Sequence, residues 1–172
     1  FTYLAPYGGV LRNMHFWGGQ LMVGTVILHM ARVVFSGGYK ARRLNWLIGV
    51  ALLFLTLLLN FTGFVLRWDQ DTAWALMVGT NLIKSIPGIG NALYQFLVGG
   101  DTVGAPALLR FYTWHVLALA LVASVFTTWH IIRVRRDGGI SHIKRTPRAG
   151  REQLGRIEIL AMLLTLAALF GL

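Results

Sequence analysis

The sequence predicts an all-α fold, a transmembrane helix bundle, and three observations carry that prediction. Of 172 residues, 56% are hydrophobic and only 13% charged, whereas a soluble domain carries roughly a quarter charged residues. The apolar residues gather into runs of about 20, the length that crosses a bilayer core. Lys and Arg stand between those runs, so the net charge of +10 does not describe a polar nucleic-acid-binding surface. The apolar content also excludes a disordered basic tail. Cysteine is absent, which removes disulfides, thiolate zinc sites, iron–sulfur clusters and covalent haem attachment within these residues. Histidine and carboxylate are left as metal ligands.

Three complete spans are expected, at 17–35, 46–66 and 112–132. Arg12 and Ser36-Gly37-Gly38 bound the first, Asn45 and Arg67 the second, Arg110 and Arg133 the third, so breakers or charges close each run. A basic linker at 144–156 leads to a shorter apolar run at 157–172, read as the beginning of an additional transmembrane helix. Phe1 is not a start methionine, and the chain is expected to lack residues at both ends.

Charge sets the orientation. The first loop carries Lys40, Arg42 and Arg43, and 133–158 holds eight cations against three acids, while 67–110 balances three against three. The positive-inside rule places the two basic loops in the cytoplasm and 67–110 on the outer side of a bacterial inner membrane or an equivalent energy-transducing membrane. The cluster after Ile132 also suits anionic lipid. Within the outer segment, 72–85 and 91–97 read as short amphipathic surface helices separated by Ile86-Pro87-Gly88-Ile89-Gly90.

Histidine in a membrane span marks a site by default. His15 and His29 lie on the first span, 14 residues apart, and His115 and His130 on the third, 15 apart. Fourteen residues of α-helix rise roughly 21 Å and end about 40° short of whole turns; fifteen rise roughly 22 Å and end about 60° past them. Each helix thus offers two imidazoles near one face, one towards each membrane surface. With the first and third spans parallel, His15 pairs in depth with His115 and His29 with His130. Two such pairs suit two bis-histidine b haems, their irons roughly 20 Å apart along the membrane normal. Four unrelated interhelical histidines are the alternative, at the expense of burying unpaired polar groups in hydrocarbon. Zinc would call for a carboxylate at the same depth, and no Asp or Glu lies within the spans.

Haem propionates need cations or donors near each surface. Arg12 precedes His15 by three residues, Arg32 follows His29 by three, Arg110 precedes His115, and Arg133 follows His130 by three. Trp46 offers an indole N–H at the inner end of the second span. Each cation has a competing reading as a snorkelling or topology-setting residue. Gly49 and Gly63 on the middle span are again 14 apart, and glycine lets a backbone approach a flat ring. Ordinary small-residue helix packing is the other reading.

Several ordered motifs resemble one family. They are Arg12-Asn13-Met14-His15, Leu28-His29-Met30-Ala31-Arg32, Gly37-Gly38-Tyr39-Lys40, Gly63-Phe64-Val65-Leu66-Arg67-Trp68-Asp69-Gln70, Ile86-Pro87-Gly88-Ile89-Gly90 and Leu109-Arg110-Phe111-Tyr112-Thr113-Trp114-His115. Between about residues 8 and 143 the chain is similar to the N-terminal half of cytochrome b, the dihaem subunit of quinol-oxidising bc-type complexes. It most resembles the short form, cytochrome b6, which shares the 14 and 15 spacings, whereas the mitochondrial type has 14 in both. The resemblance implies a dihaem bundle over 1–143 whose spans correspond to family helices B, C and D, with helix A preceding Phe1.

By the same resemblance, His15 and His115 ligate the outer, lower-potential haem, and His29 and His130 the inner, higher-potential one. Trp74 and Ala75 border the outer quinol pocket, with quinone and quinol as substrate. The implied function is transfer of electrons between quinone sites on the two membrane faces, as one subunit of a quinol:acceptor oxidoreductase. The implied partners are membrane lipid, a C-terminal cytochrome b half or subunit IV-like protein, and a Rieske-type, cytochrome c or multihaem protein, in a multi-subunit complex of a family whose members are usually dimers. His142, in the basic loop, could assist proton uptake at the inner quinone site; the competing reading is an exposed loop histidine.

Three departures bear on this. Leu66-Arg67-Trp68 stands where the family has Leu-Pro-Trp, Ala75 follows the pocket tryptophan where glycine is usual, and no proline lies in 116–120. Arg67 keeps an alternative open, a non-bifurcating dihaem anchor that wires quinol to an attached reductase or multihaem cytochrome.

Overall fold

The computed structural model describes residues 6–137. The linker at 144–156, the run at 157–172 and His142 lie outside them. Among the described residues the chain forms helices and no strand: α1 (Gly8–Phe35), α2 (Gly38–Ala41), α3 (Arg43–Val65), α4 (Gln70–Lys84), α5 (Gly90–Val98), α6 (Ala105–Thr113) and α7 (Ala120–Arg136). A π-helical stretch, Trp114–Leu119, joins α6 to α7.

Three helices are long and apolar enough to cross a membrane: Gly8–Phe35, Arg43–Val65 and the continuous Ala105–Arg136. The first and third begin earlier than the apolar runs at 17 and 112 suggest. Arg12 and Arg110 interrupt hydropathy, yet a charged side chain does not interrupt the backbone hydrogen-bond ladder, and its stem can lie along the helix while its head reaches water. Trp17, Leu21 and Leu28 project exposed from α1, as expected of a helix solvated by lipid.

The described residues fall into two units, 6–53 with 124–137, and 54–123. In the first, α1 ends at Ser36, whose N–H bonds the Arg32 carbonyl. Arg42 donates from its guanidinium to the Asp137 carbonyl at 2.9 Å, fastening the start of α3 to the end of α7.

The second unit holds a conventional apolar core of Val65, Leu76, Tyr94, Val98, Ala107 and Phe111. The α4 helix buries Thr72, Leu76 and Thr80, and α5 buries Gly90, Tyr94 and Val98. Both are one-sided stripes at four-residue intervals, so the two amphipathic helices anticipated for this segment are present and pack on each other. Asp69 caps α4: its carboxylate accepts the Thr72 N–H at 2.9 Å. Phe111 meets Phe61 and Trp114 edge-on, and Trp114 stacks on Phe96 with ring centres 5.1 Å apart.

Candidate functional site

In the first unit, α1 carries His29 and α7 carries His130, and their ring centres stand 6.4 Å apart with the planes crossed at 86°. The N-terminal half of α3 closes one side of the cleft between them with Asn45, Trp46 and Gly49. Gly49 has no side chain to spare: a Cβ there would sit 3.4 Å from Cε1 of His130 and 4.0 Å from Sδ of Met30. Three buried polar atoms here lack a hydrogen-bond partner, Oδ1 of Asn45, Nδ1 of His130 and Nε of Arg133. Such atoms each cost about 1–3 kcal/mol when left unsatisfied and are expected where a further group completes a site.

Trp46 packs against Tyr39 with ring centres 5.5 Å apart, at the same cleft. Arg133 lies below His130 on α7 and approaches the Asp137 carboxylate at 3.9 Å. With Arg42, Arg43 and Asp137 it lines a basic recess of about 500 Å³. Arg12, His15 and Arg32 stand on exposed positions of α1. His15 has a contact within the structure.

In the second unit His115 lies within the π stretch. A π turn takes in one residue without adding a turn of helix, and such turns recur at functional sites. The imidazole rests directly on Gly63 of α3, where a Cβ would come within 2.9 Å of Cε1. Nδ1 of His115 is 3.0 Å from the hydroxyl oxygen of Thr62, which is buried. Both glycines singled out by their spacing therefore make room, in the first place, for a histidine ring.

Arg110 is engaged with α5. One guanidinium nitrogen donates to the Gln95 carbonyl at 2.6 Å and also to the Phe96 carbonyl. Those carbonyls end α5, where a cation also meets the negative end of the helix dipole. Trp74 and Ala75 are exposed on α4, Trp74 on the side away from buried Thr72 and Leu76 and Ala75 at the flank of that buried stripe. Arg67, where the resembled family has proline, donates to the Asp69 carboxylate from Nε at 2.9 Å and from a terminal nitrogen at 2.5 Å. It also stacks on Phe64, 5.1 Å from the ring centre. The Thr72 N–H and then the Arg67 guanidinium hold the Asp69 carboxyl below the usual carboxylate range.

Among the described residues no group of three or more His, Asp or Glu converges. Two participants escaped sequence reasoning. Thr62 reads as one more small residue in an apolar run, and its only signal is adjacency to Gly63. Asn45 served as a span boundary, although an amide at the mouth of a membrane helix is itself a candidate donor or acceptor.

The profile of the family described as Cytochrome b(N-terminal)/b6/petB matches residues 20–172. Cytochrome b6 of Synechococcus sp. (strain JA-3-3Ab) is 41% identical over 133 residues, covering 77% of this chain and 62% of that protein. Cytochrome b6 of Heliomicrobium gestii is 42% identical and that of Gracilaria tenuistipitata var. liui 39% identical, with the same coverage. The chain spans less than two thirds of the length of these curated relatives.

Proposed function

Because the chain belongs to the cytochrome b N-terminal/b6 family, we propose that it is the dihaem, b-type electron-transfer subunit of a quinol-oxidising complex of the bc or b6f kind, moving electrons between quinone sites on the two faces of an energy-transducing membrane. The observation that carries the reading is the approach of His29 and His130, 6.4 Å between ring centres. A metal bonded by two imidazole nitrogens at the usual length of about 2 Å sets the ring centres about 6 Å apart. The unpartnered Nδ1 of His130 and the cleft cleared by Gly49 fit the same group.

When bound, haem supplies reversible one-electron exchange at its iron. The chain's own residues hold and tune it. His29 and His130 are the inner ligands, and His15 and His115 the outer ones. Neutral imidazole both binds iron and satisfies a polar group that lipid leaves unpaired. Arg12 and Arg110 on the outer side, and Arg32, Arg133 and Trp46 on the inner side, stand as donors to propionates. Gly49 and Gly63 give the ligand rings clearance. Trp74 and Ala75, exposed on α4, border the outer quinol pocket. The basic loops face the cytoplasm. A C-terminal cytochrome b half or subunit IV-like protein and a Rieske-type or cytochrome partner complete the complex.

A dithionite-minus-ferricyanide spectrum with redox titration of the purified complex, repeated with His29→Leu, tests this. Two b-type components in the wild type, one of them lost in the variant, are expected. A wild type with no b-type band would overturn the proposal.

A further inference from the structure

The hydroxyl of Thr62 has one proton and two lone pairs. The proton is taken by its own helix: Oγ1 lies 2.8 Å from the Leu58 carbonyl and 3.1 Å from that of Leu59. Towards Nδ1 of His115, 3.0 Å away, the same oxygen can therefore act only as acceptor, so Nδ1 carries the proton. A neutral imidazole has one N–H, and the lone pair is then on Nε2. Which nitrogen of a histidine is available to a metal is set by the hydrogen bond that the other makes.

We infer that Thr62 is the positioning residue of His115, fixing the tautomer in which Nε2 is the metal-binding nitrogen and adding electron density to it. The inference rests on the haem reading above. The local construction supports it. Gly63 admits the ring to α3, and the residue before it supplies the acceptor, so one helical turn provides both clearance and orientation. Thr62 is only 4% exposed, which keeps water from replacing it as acceptor. An acceptor on Nδ1–H makes the imidazole a stronger donor and favours the ferric state of the haem that His115 would hold.

The test is potentiometric titration of the purified complex, read optically and by electron paramagnetic resonance, for wild type, Thr62→Val, Thr62→Ala and Thr62→Ser. Valine keeps the shape and removes the oxygen; serine keeps both the acceptor and the bond to the Leu58 carbonyl. In the Val and Ala variants the lower-potential component should move upward, or be retained about 10–100-fold more weakly, with the other component unchanged and the Ser variant like wild type. Unchanged potentials and spectra in the Val and Ala variants overturn the inference, as does an equal shift or loss of both components, which would mark Thr62 as a helix-packing residue only. If neither variant assembles, pulsed electron paramagnetic resonance on the wild type decides: a remote-nitrogen quadrupole coupling reduced by hydrogen bonding in the lower-potential component supports the inference, and the value of a free imidazole N–H overturns it. A wild type without b haem overturns the functional reading itself, an outcome separate from all of these.

Discussion

His115 occupies the space that a side chain on Gly63 would need: a Cβ there would lie 2.9 Å from Cε1 of the imidazole, against 3.4 Å for the corresponding contact of Gly49 with His130. Gly63→Ala should therefore push the ring aside at an overpacking cost of about 1–3 kcal/mol, whereas Gly49→Ala asks only for a small adjustment. Haem per polypeptide and component-resolved spectra are the measurements. Gly63→Ala should lose one b-type component and Gly49→Ala should keep both; equal effects would contradict the geometry.

Arg110 joins α5 to α6 through the carbonyls of Gln95 and Phe96. Charge-assisted bonds of this kind are each worth about 1.5–3 kcal/mol, and Arg110→Gln should lower the thermal midpoint accordingly. Gly99→Ala should do the same by another route. Gly99 has φ +74, and a Cβ there would collide with the Arg110 guanidinium. Thermal unfolding of the two single variants and of the double variant checks this: a double effect smaller than the sum is expected, since both act on one contact.

Asp69 connects pH to the start of α4. The Thr72 N–H and the Arg67 guanidinium lower its folded pKa. Its contribution is therefore complete above the unfolded value near 4 and is lost as pH falls through the lower folded value. Protection of the amides in the first turn of α4, measured against their intrinsic exchange at each pH, should fall in the wild type as pH drops below about 4. Asp69→Asn, which still caps a helix, should show little of that loss. An acid response equal in both proteins would show that Asp69 is not its source.

The large features were legible because one residue type or one length decides them. Apolar runs gave three spanning helices, and the four-residue stripes in 72–85 and 91–97 gave α4 and α5. What stayed hidden depends on the path of the chain. Arg110 looks like a surface cation before a ligand, and only the turn at Gly99 brings the end of α5 within its reach. Arg67 looks like a charge beside a pocket until the turn through Trp68, with φ 50, lays Asp69 against it. The starts of α1 and α6 were missed because hydropathy measures side chains while a helix is held by its backbone.

The wide turn at Trp114–Leu119 bears on how such a chain tolerates change of length. A codon gained or lost inside a regular membrane helix rotates everything after it by about 100° and turns a packed face towards lipid. A π turn is the place where one residue can enter or leave while the rest of the helix keeps its face. The histidine interval of this helix is thus editable by one residue within 114–119, and natural chains with intervals of 14 and 15 can serve the same architecture without moving a ligand.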